Sequence, residues 1–129
     1  MNVKQVIVIR KDLNMRKGKM VAQGGHAIVS ALFKDTITKV SDGLYEFRPP
    51  KEMEEWLFNS SFIKICVSVD SETELIKTYT LAIAAGLPAS LIQDKGHTEF
   101  HGVPTYTAVA VGPGNSQTVD IITGKFPLL

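Results

Sequence analysis

The chain has 129 residues, a mass of 14.1 kDa, a hydrophobic fraction of 44% and a formal net charge of +1. This length suits one domain that buries about two thirds of its extended-chain surface, and the 10 Gly and 6 Pro exclude a collagen-like or wholly disordered chain. Without a run of 18 apolar residues or a leader pattern, neither membrane spanning nor secretion is expected, and the lone Cys66 inside an apolar run points to a reduced, cytoplasmic setting.

Val3 to Arg10 is β-branched and apolar on both faces, which predicts a central strand. A polar loop with Gly18 near its end follows. From Met20 the period changes, and Met20, Val21, Gly24, Ala27, Ile28 and Ala31 form the small apolar face of a helix running to about Phe33. Gly24 and Gly25 weaken that helix, and their expected use is close approach to a strand or ligand. Residues 35–50 lack a clean period and read as an excursion, with a short strand at Leu44–Phe47. Lys51 to Phe58 reads as a short helix that Trp56 anchors to the body.

Phe62 to Val69 predicts a second strand. Ser71 and Glu74 stand at capping-box spacing before a helix striped by Leu75, Ile76, Tyr79, Ala82 and Ile83, with Gly86 as its C-terminal cap. A third strand is expected at Ala89–Gln93 and a fourth at Thr105–Val111, ended by Gly112-Pro113-Gly114. Asn115 or Ser116 then caps a terminal helix reaching Ile122. The order predicts a single three-layer α/β domain over residues 1–129, with an excursion at 35–61. Its sheet is expected to have about four strands, mixed in direction, with helices on both faces.

The charge is unevenly spread. Residues 1–19 carry six Lys or Arg and one acidic residue, whereas the remainder carries eight basic and twelve acidic residues. The cluster of Arg10, Lys11, Arg16, Lys17 and Lys19 is either a solvated face or a local site for a phosphorylated ligand. The acidic remainder argues against a broad duplex-DNA surface. Lys17 and Lys19 stand where a helix begins, which suits an anion, but neither a Walker pattern nor a dinucleotide fingerprint is present.

If the third strand runs parallel to the first, Asp94 emerges on the same rim as Lys19. There a carboxylate could orient water and a cation could steady an oxyanion, with Thr98 completing a cradle. A capped turn is the plainer reading of Asp94, Gly96 and Thr98. His26, His97 and His101 lack the spacing of a zinc site, so no metal is expected. His26 either bonds across a helix–sheet seam or borders the rim. Ser30 and Ser116 lack a nucleophile elbow.

Separated blocks in order at residues 5–27, 64–75, 85–100, 110–114 and 123–129 resemble the peptidyl-tRNA hydrolase 2 family. They include G-K-M-V-A-Q-G-G-H-A around Lys19, S-L-I-Q-D-K-G-H-T around Asp94, and T-G-K-F-P-L-L at the end. The resemblance implies a cofactor-free hydrolase that cleaves the ester joining a peptide to the 3′ ribose of tRNA, with Lys19, Asp94 and Thr98 as catalytic residues. It further suggests that Gln23 and His26 lie on the same rim. On that reading Lys11, Arg16, Lys17 and Lys95 would contact the acceptor stem and 3′ end. Lys19 would position the ribose or stabilise the oxyanion, Asp94 would activate water, and Thr98 would hold the carboxylate or substrate.

The resemblance permits a homodimer and implies neither DNA nor a membrane as partner. A non-enzymatic RNA- or protein-binding module on the same scaffold is the competing expectation. The chain departs from the family in Lys95, where a small residue is common, in the glycine pair 24–25, and in a slightly longer loop at 101–105. Residues 35–61 carry little of the resemblance.

Overall fold

The β-branched runs and the amphipathic segments assemble as alternating strands and helices. A computed structural model describes residues 1–129. Its order is β1 (Val3–Arg10), α1 (Lys17–Phe33), β2 (Ile37–Ser41), β3 (Leu44–Phe47), α2 (Lys51–Phe58) and β4 (Lys64–Val69). There follow α3 (Glu72–Ala84), β5 (Ala89–Asp94), β6 (Thr105–Asn115) and α4 (Ser116–Thr123). Four strands form one sheet in the order β4-β1-β6-β5, and β2 pairs with β3 in a separate hairpin. β1 runs parallel to β4, while β6 is antiparallel to both β1 and β5. β1 and β5 therefore point the same way, and their C-terminal ends share one rim.

Strand alternation divides the core. Val6, Val8, Val67, Val69, Val109 and Val111 face Leu75 and Ala82 of α3 and Val119 and Ile122 of α4. On the opposite sheet face, Ile9, Ala108 and Ala110 pack against Ala27 and Ala31 of α1. The three-layer expectation holds, and the small alanines let α1 lie low over β6. At α3, Ser71 Oγ accepts from the Glu74 N–H at 3.1 Å, as its cap spacing predicts. Asn115 Oδ1 likewise caps α4 by accepting from the N–H groups of Gln117 and Thr118.

Some local expectations hold and others are corrected. α1 does start with Lys17, as the two lysines at a helix beginning predict, although its apolar period begins only at Met20. Val21 is 76% exposed rather than part of the packed face. Nor does packing against the strand require the glycines. A Cβ on Gly24 would meet only Ile7 Cγ2 at 3.5 Å, an ordinary contact, and Gly25 faces open space. β4 begins at Lys64, since Phe62 adopts a positive φ of 62° that breaks an extended run. β6 continues through Gly112-Pro113-Gly114, where Lys4 still pairs with Gly114 and Val3 with Asn115.

Residues 35–61 contain a hairpin with an almost wholly exposed surface, followed by the expected α2. Trp56 fixes this excursion to the body. It is fully buried with Val3, Leu32 and Met53, and its Nε1 donates to the Ile63 carbonyl at 2.8 Å. Phe62 stacks on it at 4.2 Å between centroids. The Lys64 ammonium, which has no hydrogen-bond acceptor, lies over both rings, and burial lowers its pKa. Trp56→Ala is expected to destabilise the protein by about 3–5 kcal/mol in urea unfolding. A change below about 1 kcal/mol would contradict the anchoring role.

Candidate active site

At the shared rim, the first turns of α1 meet the end of β5. Lys19 is on α1 and Asp94 is the last residue of β5, so two segments 75 residues apart supply one ion pair. Lys19 Nζ donates to Asp94 Oδ1 at 2.8 Å and to Thr98 Oγ1 at 2.7 Å. Both charged side chains retain only 14% of their exposure. The Lys19 ammonium also stands 5.7 Å from the centre of the Phe100 ring. An ammonium has three N–H donors. Two are engaged here, which leaves the third for an incoming oxygen.

One turn further along α1, Gln23 is buried and its Nε2 donates to the same Asp94 Oδ1 at 3.2 Å. The backbone N–H of Gly96 donates to Oδ2 at 2.8 Å. The Lys19 hydrogen bond is the main reason the Asp94 carboxyl lies below the usual carboxylate range. Partial burial opposes it, while Gly96, the Lys19 charge and Gln23 reinforce it. A carboxylate whose ionised form is favoured in this way is a weaker base than a free one. Its plainest physical effect is to fix the direction of Lys19.

The loop after Asp94 closes on itself. Gly102 N–H donates to the Gly96 carbonyl at 2.7 Å and Val103 N–H to the Phe100 carbonyl at 2.9 Å. Gly96 has φ +84°, and a Cβ there would lie 2.3 Å from the Val103 carbonyl oxygen, so no side chain fits. The turn reading of Asp94, Gly96 and Thr98 is thus correct as local structure, and the same turn carries Thr98 to Lys19. Thr98 contacts the ammonium rather than the carboxylate.

A pocket of about 320 Å³ opens over this cluster, lined by Lys19, Gln23, His26, Asp94, Lys95, His97 and Thr98 among others. His26 therefore borders the rim, the second of its two sequence readings. Lys11 and Lys17 are placed differently. They border a separate apolar groove of about 870 Å³ beside α1, floored by Ile7, Ile9 and Cys66. Arg16 precedes α1, 90% exposed, with its Nε 3.8 Å from Glu99 Oε1. The N-terminus of α1 has neither a side-chain cap nor an acidic residue in its first turn, which leaves it electropositive.

Two site residues escaped the sequence reading. Glu99 accepts from the Arg16 N–H at 3.4 Å and ties the loop to the start of α1. Thr107 of β6 donates from Oγ1 to Gln23 Oε1 at 2.5 Å and is fully buried. Neither has a motif signal. No three His, Cys, Asp or Glu side chains converge as a metal centre would need, and no helix is long and apolar enough to cross a membrane.

Comparison with known proteins adds identity to this geometry. The family model described as Peptidyl-tRNA hydrolase PTH2 matches residues 3–129. A peptidyl-tRNA hydrolase of Methanocaldococcus jannaschii is 47% identical over 127 residues, covering 98% of this chain and 100% of the relative. Relatives of the same name from Sulfolobus acidocaldarius and Aeropyrum pernix are 36% and 40% identical, covering 98% and 97% of this chain and 100% and 94% of their own lengths. A solved structure of a protein of unknown function from Agrobacterium tumefaciens strain C58 has a TM-score of 0.61. It is 14% identical, with 100% of this chain and 98% of that one covered, and shows likeness of fold alone.

Proposed function

The chain belongs to the peptidyl-tRNA hydrolase PTH2 family, and we infer that the pocket over Lys19 is where it hydrolyses the ester joining a peptide to the 3′ ribose of tRNA. The observation that carries this placement is the Lys19 ammonium, aimed by Asp94 and Thr98 with one N–H unspent. Water adds to the ester carbonyl carbon, the carbon–O3′ bond breaks, and water's proton ends on the departing ribose oxygen. The products are a free peptide and a tRNA with its 3′-hydroxyl restored.

Negative charge develops on the carbonyl oxygen as water adds. Donors already in place stabilise that charge without reorganising at the moment of reaction. Lys19 supplies the charged donor. Thr98 Oγ1 accepts from Lys19, so its own hydroxyl proton is free for the same oxyanion or the ribose. Asp94 spends its hydrogen bonds on Lys19, Gln23 and Gly96, so its part is to aim the ammonium, and its low basicity leaves the electrostatic work to Lys19.

Arg16, Lys17, Lys11 and Lys95, with the uncapped N-terminus of α1, supply positive charge at this end of the sheet for acceptor-stem phosphates. His26 and Gln23 lie toward the 3′ end. The test is release of free N-acetylamino acid from N-acetylaminoacyl-tRNA. Turnover with tRNA that can be charged again is the expected result. Tight tRNA binding without release by folded protein would instead favour a binding module.

A further inference from the structure

We infer that Thr107 is a positioning residue for the Lys19–Asp94 pair, acting through the buried amide of Gln23 and brought there by a β-bulge in β6. The inference rests on the pocket reading above, but its geometry is independent of the substrate. Along β5 and β6, Ile92 pairs with Ala108 and Gln93 with Tyr106, so Thr107 is the extra residue with no partner across the ladder. Val109 and Val111 face α3 and α4, and Ala108 and Ala110 face α1. Unbroken alternation would send Thr107 with the valines. The bulge reverses the alternation: Tyr106 packs with the α3 side, and Thr107 turns to α1 and reaches Gln23. Bulges commonly re-aim a side chain beside an active site.

The proton inventory fixes the direction of the chain. Asp94 is ionised and can only accept, so Gln23 must present its NH₂ group to Oδ1. Its carbonyl Oε1 then faces Thr107, whose hydroxyl must donate. The amide could otherwise rotate and set its oxygen against the carboxylate, two acceptors face to face in a buried site. Thr107 therefore selects the amide orientation in which Gln23 stabilises the Asp94 carboxylate that aims Lys19. A β-branched threonine on a strand has restricted χ1 freedom, which suits a fixed donor.

The test compares Thr107→Val, nearly the same shape without the donor, with Thr107→Ser, which keeps it. In Thr107→Val, kcat is expected to fall about tenfold with KM unchanged, since the lost bond aims catalytic groups and touches no substrate. The Asp94 carboxyl pKa, followed by carbon NMR titration, is expected to rise. The low-pH limb of the rate profile should move up with it. Thr107→Ser should restore all three.

Wild-type kcat and an unmoved Asp94 titration in folded Thr107→Val would overturn the inference, as would a Ser variant that behaves like Val. Should Thr107→Val fail to fold, the wild-type protein still decides. A slowly exchanging Thr107 hydroxyl proton close to the Gln23 amide supports the relay, and a freely exchanging one overturns it. The NMR readouts need no substrate, so a failure of the hydrolase reading is distinguishable from a failure of this one.

Discussion

Lys19→Met is expected to lower kcat for peptide release by about 10²–10³-fold, the usual cost of losing one preorganised donor to a developing oxyanion. Methionine keeps much of the length and apolar stem of lysine and can pack against Phe100, which already lies beneath the ammonium. Asp94 keeps its bonds from Gln23 and Gly96, so the loop stays closed. Single-turnover assays at saturating substrate separate the chemical step from tRNA binding. A variant within a few-fold of wild type would remove Lys19 from the chemistry.

The second large effect belongs to Asp94→Asn, expected to cost about 10²-fold in kcat through misdirection of Lys19. The carboxylate accepts from Lys19 and Gln23 on one oxygen and from Gly96 on the other. An asparagine amide has one oxygen to offer. With its NH₂ toward Gly96, a donor meets a backbone N–H and the loop loosens. With its NH₂ toward α1, a donor meets both Lys19 and Gln23. Either orientation leaves a donor unpaired in a partly buried site, at about 1–3 kcal/mol.

The pH dependence follows the same pair. The native Asp94 carboxyl lies below the ordinary carboxylate range, so it stays ionised as pH falls from neutral and is protonated only below that range. Its limb in the rate profile should therefore lie at unusually low pH. A limb at or above an ordinary aspartate pKa would contradict the hydrogen-bonded geometry.

Much of the scaffold was legible because its segments are locally consistent. The run Val3–Arg10, the helix Lys51–Phe58 and the Ser71 cap each carry a signal within a few residues, and the structure reproduces them. Trp56 was readable as an anchor from size alone. The hairpin strand at Ile37–Ser41 was not, because almost none of the hairpin is buried and its pairing is local. The start of α1 was legible only from the Lys17 and Lys19 charges where a helix begins, because its apolar period starts later, at Met20.

The site divides in the same way. Lys19, Asp94 and Thr98 were readable as one rim only if the first and third strands ran parallel, and the family resemblance supplied their catalytic roles. The parallel direction of β1 and β5 is what turns them into contacts. Thr107 was invisible because alternation places it on the wrong face, and only the bulge corrects it. Glu99 depends on how a polar loop folds back on α1, which local composition does not encode. Lys11 and Lys17 share the charge cluster of residues 1–19 yet lie on the other flank of α1 from Lys95. Charge in sequence reports a region, while the helix decides which side each cation serves.

The central claim is that Asp94 acts through Lys19. A double-mutant cycle of Lys19→Met, Asp94→Asn and the combined variant tests it in single-turnover peptide release. Residues that work as a unit are strongly non-additive, so the double variant should be no slower than Lys19→Met alone, within a few-fold. A double variant slowed by the product of the two single effects would show that Asp94 acts on water or substrate independently of Lys19, and would contradict the account.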